Sequence, residues 1–489
     1  MKKASKLLAL LISCLLLVSL LGACGGKTGK TEENTGINDQ VTNNEVTEKA
    51  SEETKAPEKV KLRYFTPSPT DKLEYDASIA VWNSKYPHIE VECVVVTGDD
   101  LFGKIRTAIA GGEQVDVVQM EGDGFRDKAS KLYYKLNEFI EEDGMDYLKE
   151  FGGYAKATMV GDDIYGIAKY ISPACVYVNL EYLNKAGISL PDENTWTFDD
   201  YFDMIKQLTI RDAQGNIEVY GGMHWQFGFT NGMGPITDMA CLNGWDIVTE
   251  DGKPNIYNPV LKNVIEKYMN AMFVDKTMPT LADINANKLV ALFDFCKGKI
   301  ATIIGATNSA LFFDVWKTQG YLTEEKDAKD ELKILKLPRF DESSPQNQTT
   351  TAVYSYALAA TTKHPREAYE FLKWHCTEGL IEGAKVAHRV PAWTGADKDR
   401  LINDWRYYTD NDGNLVEGKD RRELYLKVLD QSVTPLFFNH RDKYSYSSMF
   451  LDELAKELSI VFAGEKDVDK ALSDAQKACE AIYLKENRK

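Results

Sequence analysis

Residues 60–67 read VKLRYFTP, residues 88–96 read HIEVECVVV and residues 115–120 read VDVVQM. The first run alternates apolar and polar side chains as a strand does, the second also indicates a strand, and the third suits a central parallel strand. Apolar residues recur at helical spacing over Tyr75–Lys85, and a second helix is indicated over Asp100–Ala110. The alternation of three strands with two helices predicts a doubly wound α/β sheet.

Two polar loops follow strands of this predicted sheet. Residues Thr66–Thr70 come after the first strand, and Glu121–Gly124 come after the third. Ligands bind doubly wound sheets in the crevice beyond the carboxyl ends of the strands. The glycines of the second loop permit close approach, and its carboxylates accept hydrogen bonds. We therefore expect both loops to form walls of a binding site.

The N-terminus carries an export signal. Three lysines precede the apolar run Leu7–Leu21, which is too short for a comfortable transmembrane helix. The tetrapeptide Leu21-Gly22-Ala23-Cys24 resembles the lipobox of bacterial lipoproteins, whose cysteine is lipidated. We predict a signal peptide over residues 1–23 and a lipid on Cys24; the alternative is a cysteine that merely ends an ordinary signal peptide.

The segment after the signal differs in composition from the rest of the chain. Residues 24–58 are rich in Thr, Asn, Glu and Lys and contain almost no large apolar side chain. Burial cannot offset the entropy of folding such a segment, so we predict a disordered tether. The chain of 489 residues is longer than one hydrophobic core usually serves, and two lobes are expected after the tether.

Charge and motifs narrow the class of function. The chain has 58 Lys and Arg against 75 Asp and Glu, a net charge of −17 that disfavours nucleic acid as a partner. It contains no GxSxG, HExxH or strand-linked GxGxxG motif, and its cysteines and histidines show no zinc spacing, so we predict no cofactor and no metal. One disulfide stays open, and Asp410–Gly413 partly resembles a calcium loop but is more typical of a hairpin turn.

Five segments in a fixed order resemble a known family. They are NSKYPHIEVE at 83–92, AIAGGEQVDVVQ at 108–119, VYVNLEYLNKAGISLPDENTWTFDDYFDMIKQLT at 176–209, FCKGKIATIIG at 295–305 and HPREAYEFLKW at 364–374. This order, after a lipobox, is similar to that of the family 1 extracellular solute-binding proteins of ABC importers, the group that includes maltose-binding protein.

The resemblance implies a two-lobed, periplasmic-binding-protein-like α/β fold of type II, in which discontinuous lobes close over a ligand. It implies crossing segments near Ile171–Val178, Leu335–Val353 and Val386–Ala392. By the same resemblance, residues 59–172 and 353–387 form lobe 1, and residues 173–352 and 388–489 form lobe 2. Lobe 2 would end in helices around 446–462 and 467–485.

A sugar offers an apolar ring face and a rim of hydroxyls, so its site needs flat aromatic rings together with polar groups. We assign Trp82, Trp196, Trp374 and Trp405, which lie in or beside helical patterns, to packing. The predicted ligand-binding residues are Phe65, Ser68, Glu121, Asp123, Tyr170, Trp225, Asn231, Asn308, Tyr356, Arg389 and Trp393.

The grounds for these residues differ. Trp225 lies in a glycine-rich stretch without helical spacing, where an aromatic ring favours a cleft over a core. By the family resemblance, Asp123 occupies the position of a hydroxyl-binding carboxylate, although it also suits a helix N-cap. The resemblance likewise implies ligand contacts near Arg389 and Trp393, whereas Asn308 stands where the family often has an aromatic residue.

We therefore predict a monomeric, non-enzymatic protein that captures a carbohydrate, most simply an oligosaccharide, and delivers it to the permease subunits of an ABC importer. The lipid anchor would hold it on the extracellular face of the cell membrane, in a Gram-positive envelope rather than a periplasm. Two alternatives stay open at this point. One is a glycosidase of the cell envelope, and the other is a ligand-sensing protein that feeds a membrane sensor.

Overall fold

The computed structural model describes residues 59–66, 69–96, 101–120, 123–225, 233–306, 332–344, 351–383, 389–405 and 440–488. Several of the predictions fall outside these residues: the signal peptide, Cys24 and the tether, Ser68, Glu121, Asn231, Asn308 and Asp410–Gly413. Within the described ranges, no helix combines the length and the apolar character needed to cross a lipid bilayer.

The structure describes sixteen α-helices. They are α1 (Pro69–Lys85), α2 (Leu101–Ala110), α3 (Ala129–Leu132), α4 (Asn137–Glu142), α5 (Tyr147–Phe151), α6 (Leu180–Ala186), α7 (Phe198–Leu208), α8 (Met233–Leu242), α9 (Pro259–Met269), α10 (Leu281–Asn287), α11 (Ala291–Cys296), α12 (Pro365–Cys376), α13 (Glu378–Gly383), α14 (Lys398–Trp405), α15 (Ser447–Phe462) and α16 (Val468–Glu486). Shorter 3-10 turns cover Asp123–Lys128, Gly152–Thr158 and Arg441–Lys443, and a π-helical turn, Asn270–Val274, follows α9.

The described strands form one large mixed sheet and one small hairpin. They are β1 (Val60–Thr66), β2 (Ile89–Val95), β3 (Val117–Gln119), β4 (Met159–Val160), β5 (Asp163–Ile164), β6 (Ile167–Asn179), β7 (Ile210–Arg211), β8 (Ile217–His224), β9 (Ile300–Ala306), β10 (Leu332–Lys336), β11 (Thr351–Leu358) and β12 (Val390–Pro391). The sheet runs in the order β2-β1-β3-β11-β6-β9-β8-β7, with β10 and β12 also on β6, while β4 and β5 pair with each other.

The predicted strand and helix alternation at the start of the folded part is confirmed. Strand β1 pairs in parallel with β2 and with β3, and α1 and α2 are the connecting helices. The predicted loop Thr66–Thr70 is wrong in its bounds, because Thr66 ends β1 and α1 already begins at Pro69. A proline suits the first turn of a helix, because the backbone N–H groups of that turn have no hydrogen-bond partner within the helix.

Strand β6 is the centre of the sheet. Its N-terminal half lies between β11 and β12, and its C-terminal half lies between β9 and β10. The neighbours change at Pro173, which pairs with β11, and Ala174, which pairs with β9. A proline has no N–H to donate to a ladder, so it suits the point where one set of partners ends. Twelve of the thirteen residues of β6 are buried.

Packing of the helices against the sheet agrees with several predictions. Trp82, Trp196 and Trp374 are buried in the hydrophobic core, as predicted; the side chain of Trp405 is not described. Trp196 precedes Thr197, whose side chain caps α7 together with Asp200 in a reciprocal capping box, so Trp196 lies at the entry to this helix.

A glycine sets the distance between α7 and β8. A Cβ built on Gly221 would lie 1.9 Å from the backbone oxygen of Ile205 in α7. Only glycine permits this approach of helix to strand. The helices predicted around residues 446–462 and 467–485 are also present, as α15 and α16.

Candidate functional site

Strand register points the ends of β3 and β9 toward the same stretch of β6. At one end, Gln119, the last residue of β3, pairs with Tyr356, and Tyr356 pairs with Ile167 of β6. At the other end, Ala306, the last residue of β9, pairs with Ala174. Strand β3 runs in the same direction as β6 and β9 runs against it, so both lead toward the stretch Ile167–Ala174. Its seven steps span about 23 Å.

Tyr170 lies at the middle of this stretch. Its ring is 2% exposed and stacks on Tyr354 of β11, with centroids 4.4 Å apart and planes at 16°. The guanidinium carbon of Arg389 lies 4.7 Å from the centroid of the Tyr170 ring. Tyr354 and Arg389 are both partly exposed. A guanidinium and two aromatic rings therefore form one layered unit, and its outer members reach the surface.

A buried ion network lies beside this layered unit. Glu74 of α1 accepts from the Arg389 Nε at 3.3 Å and from the Lys169 Nζ at 3.1 Å. The Lys169 Nζ also lies 3.0 Å from the Nε2 of His375 and 4.3 Å from the centroid of the Tyr75 ring. Glu74, Lys169 and His375 are all at most 1% exposed. Cationic and anionic groups are thus paired inside the core, beside the middle of β6.

Burial shifts the titration of two members of this network. Removal from water lowers the pKa of Lys169, while the charge of Glu74 raises it. Burial, and then the positive charge of Lys169, hold the pKa of His375 well below its ordinary value. Neutral His375 can accept from the Lys169 ammonium through Nε2, which places its remaining proton on Nδ1.

Trp393 is fixed beside β12. Its Nε1 donates to the Glu150 carboxylate at 3.1 Å, and the next residue, Thr394, donates its backbone N–H to the Glu150 carbonyl oxygen at 2.9 Å. A Cβ built on Gly395 would lie 2.5 Å from Trp393 Cζ2, so the glycine leaves room for the indole. The backbone N–H of Ala392 donates to the Lys169 carbonyl oxygen at 3.1 Å, which ties this segment to β6.

Trp225 directly follows β8, at the end where β8 and β9 lead toward the middle of β6. It is partly buried, and its backbone N–H donates to the Ile304 carbonyl oxygen at 2.9 Å. His224, the preceding residue, is fully packed, and burial lowers its pKa to about 3. The strand end is therefore rigid, while the indole that follows it keeps some exposure.

The structure thus groups three of the predicted residues, Tyr170, Arg389 and Trp393, along the middle of β6, with Trp225 at the end of a neighbouring pair of strands. Besides Tyr170, it buries two other predicted residues. Phe65 is 4% exposed with Arg63 over its ring, and Tyr356 is 0% exposed with its hydroxyl 2.5 Å from that of Tyr75. Neither ring takes part in the site proposed below. Asp123 opens a 3-10 turn, and its side chain is not described.

Four residues of this region were not predicted: Glu74, Glu150, Lys169 and Tyr354. Tyr354 had one sequence signal, since it is two residues from Tyr356 and alternation puts both on one face of a regular strand. The other three carry no motif, because their partners lie far away in the chain. In the described part of the chain, no group of three or more His, Cys, Asp or Glu side chains is arranged to hold a metal ion.

The arrangement suits a particular kind of ligand. Aromatic rings with partial exposure offer flat apolar surface, and the guanidinium beside them carries several hydrogen-bond donors. The strands that precede Asp123 and Trp225, β3 and β8, point toward this stretch from opposite ends. A compact solute with an apolar face and a polar rim would find both kinds of contact here.

Comparison with known proteins gives one family match. The model of the bacterial extracellular solute-binding protein family matches residues 66–378. The chain is also 23% identical, over 340 residues, to the arabinooligosaccharide-binding protein of Bacillus subtilis (strain 168); the alignment covers 66% of this chain and 70% of that relative.

Solved structures resemble the chain over most of its length. An ABC substrate-binding protein of Listeria monocytogenes, solved in complex with cycloalternan, has a TM-score of 0.66 at 20% identity and covers 87% of this chain and 99% of its own. The maltose-bound MalE3 protein of T. maritima has a TM-score of 0.65 at 14% identity, with coverage of 86% and 100%. These matches confirm the predicted two-lobed α/β fold class.

Proposed function

The chain belongs to the family of bacterial extracellular solute-binding proteins, and from this premise we propose that its solute is a carbohydrate, most simply an oligosaccharide. The protein captures the sugar at the middle of β6 and delivers it to the permease subunits of an ABC importer. The observation that carries this proposal is the stack of Tyr170 on Tyr354 beside Arg389, in the stretch toward which β3 and β9 both lead.

The chemistry of this stack matches a sugar. A pyranose or furanose ring presents C–H bonds on its face, and a partly exposed tyrosine offers a flat partner for them. An aromatic contact is worth about 0.5–1.5 kcal/mol beyond the burial of area. Charged donors such as Arg389 bind hydroxyl oxygens more strongly than neutral ones do. Several such contacts together reach the free energy of a micromolar complex, about −8 kcal/mol.

The relatives support the same class of ligand. The curated relative is named for arabino-oligosaccharides, and the structural neighbours were solved with cycloalternan and with maltose. All three ligands are carbohydrates, while their linkages and sugars differ. Their common property is a repeated ring with hydroxyl groups on its rim, which is the property that the Tyr170 stack would recognise.

We also propose how the protein is organised and where it works. The change of β6 neighbours at Pro173 supports lobes of residues 59–172 with 353–387 and of residues 173–352 with 388–489. The lipobox supports a diacylated Cys24 on the extracellular face of the membrane, followed by the tether of residues 24–58. The protein acts as a monomer, holds its ligand without a cofactor or metal, and releases it chemically unchanged.

Isothermal titration calorimetry of residues 59–489 with arabinotriose, maltotriose and mannotriose tests the proposal. We expect saturable heat with at least one trisaccharide and a dissociation constant in the micromolar range or below. Mass spectrometry of the recovered ligand should find no cleavage, whereas turnover would identify a glycosidase. Absence of heat with every sugar, together with binding of a peptide or a polyamine, would overturn the carbohydrate assignment.

A further inference from the structure

We infer that Glu74 is a positioning residue for ligand binding: from α1, its carboxylate holds the Arg389 guanidinium beside Tyr170, and Lys169 completes the ion network. The inference rests on the proposed function, because it assigns a role in the site described there. Glu74 is 1% exposed, so it acts through Arg389 and not by touching the ligand.

The geometry connects three parts of the chain that are distant in sequence. Glu74 uses one carboxylate oxygen for each cation, Oε1 for Lys169 at 3.1 Å and Oε2 for Arg389 at 3.3 Å. Lys169 immediately precedes Tyr170 in β6, and Arg389 immediately precedes β12. One carboxylate therefore fixes both the strand that bears the tyrosine and the segment that bears the guanidinium.

The position of Glu74 is itself tightly defined. A Cβ built on Gly383 of α13 would lie 3.0 Å from Glu74 Cγ and 3.3 Å from its backbone oxygen. Helix α13 thus packs directly on the glutamate, and only a residue without a side chain fits there without displacement. The Glu74 side chain has little freedom to move with Arg389. The fixed carboxylate therefore determines the position of the guanidinium.

Lys169 makes this arrangement more than a single ion pair. Its ammonium contacts Glu74, His375 and the Tyr75 ring from a fully buried position. A buried charge that loses its partner is strongly destabilising, whereas a complete network is tolerated. Removing the Glu74 charge takes away the anion that Lys169 and Arg389 share. Arg389, the partly exposed member, is the one that can move away.

Calorimetry of Glu74→Gln, Arg389→Gln and the double variant tests the inference with the trisaccharide that binds the wild type most tightly. We expect Glu74→Gln to weaken binding about tenfold or more. In the Arg389→Gln background, the same change should alter the dissociation constant less than about twofold, because the residue through which Glu74 acts is then absent. A role in stability alone would not produce this dependence on Arg389.

Asp246→Asn is the matched control. Asp246 forms another buried ion pair, with Arg441 at 3.1 Å, in a region that the proposed site does not use. This variant should lower the unfolding temperature and leave the affinity unchanged. If Glu74→Gln does not fold, Glu74→Asp replaces it, since a side chain one methylene shorter keeps the charge but cannot reach both cations.

Unchanged affinity of the glutamate variant, or equal effects in both backgrounds, would overturn the inference while the proposed function stands. If no trisaccharide binds the wild type, the proposed function fails, and a crystal structure of the ligand-free Glu74→Gln variant decides the inference alone. We expect the Arg389 guanidinium to leave the Tyr170 ring in that structure. A guanidinium still about 4.7 Å from the ring centroid would contradict the positioning role.

Discussion

Tyr170 and Tyr354 face each other directly in the register of β6 and β11, and their rings stack 4.4 Å apart. Tyr170 is almost fully buried, while Tyr354 keeps partial exposure. The buried ring therefore supports the exposed one, and Arg389 holds the buried ring in turn. A ligand that meets Tyr354 finds a ring whose orientation is already fixed, so little side-chain entropy is lost on binding.

Replacing Tyr354 with alanine should weaken carbohydrate binding. Loss of one aromatic contact is worth about 0.5–1.5 kcal/mol, which corresponds to about a two- to tenfold higher dissociation constant by calorimetry. Tyr257→Ala is the matched control, because Tyr257 is a 56% exposed tyrosine that precedes α9. Equal affinities of wild type and Tyr354→Ala would exclude Tyr354 from the site.

Gly395→Ala should disturb the site through Trp393. The added methyl group would lie 2.5 Å from the indole, so the ring must leave the position in which it donates to Glu150. We expect a several-fold weaker affinity and a smaller ligand-induced change in tryptophan fluorescence. Trp393→Phe should reduce the same fluorescence change, whereas Trp82→Phe, at a core residue, should retain it. A normal fluorescence response in Gly395→Ala would contradict this role of the glycine.

Stability should fall as the pH drops below neutrality. Burial lowers the pKa of His224 from 6.5 to about 3, so between these values the unfolded chain binds a proton that the folded chain does not. The stabilisation is present above pH 6.5 and is lost as the pH falls toward 3. From pH 7 to pH 5 this residue alone costs about 2 kcal/mol of unfolding free energy.

Urea denaturation at pH 7 and pH 5 measures this effect. His224→Phe, which keeps a ring without a titrating group, should reduce the difference between the two pH values by about the same amount. His375 should contribute in the same direction, because burial also lowers its pKa. An unfolding free energy that depends on pH equally in wild type and variant would show that His224 is not buried as a neutral group.

Cys24→Ala should release the protein from the membrane. Two acyl chains bind a bilayer stably at about 0.8 kcal/mol per buried methylene, while a protein without them has no such attachment. Expression in a Gram-positive host, labelling with an alkyne palmitate analogue and fractionation would detect the change. Cys93→Ala is the control, and it should leave both label and membrane fraction unaffected. A variant at Cys24 that still carries label would contradict the assigned lipid site.

The elements near the start of the folded part could be predicted because their patterns are local. Alternation in VKLRYFTP and helical spacing over Tyr75–Lys85 each involve neighbouring residues, and β1 and α1 follow them closely. The early start of α1 at Pro69 was missed because no apolar residue marks its first turn. Local patterns thus predicted which elements are present more accurately than they predicted the residue at which each element begins.

The site was harder to predict because its contacts are long-range or depend on an irregularity. Glu74 meets residues 95 and 315 positions away, and no spacing rule covers such distances. Tyr354 pairs with Tyr170 and Ser355 pairs with Ala168, so Lys169 is an extra residue of β6 at a β-bulge. A bulge breaks the alternation of side chains along its strand, so alternation alone could not predict the direction of the Lys169 side chain.

The exchange of neighbours along β6 also determines when the chain can fold. The N-terminal half of this strand needs β11, which begins 172 residues after β6 ends, and β12 comes later still. During synthesis, the sheet that contains the first strands can therefore be completed only after most of the chain has been made. Such non-local pairing makes folding slow. A polypeptide that stays open until its last third emerges can be threaded through a narrow secretion channel before it closes.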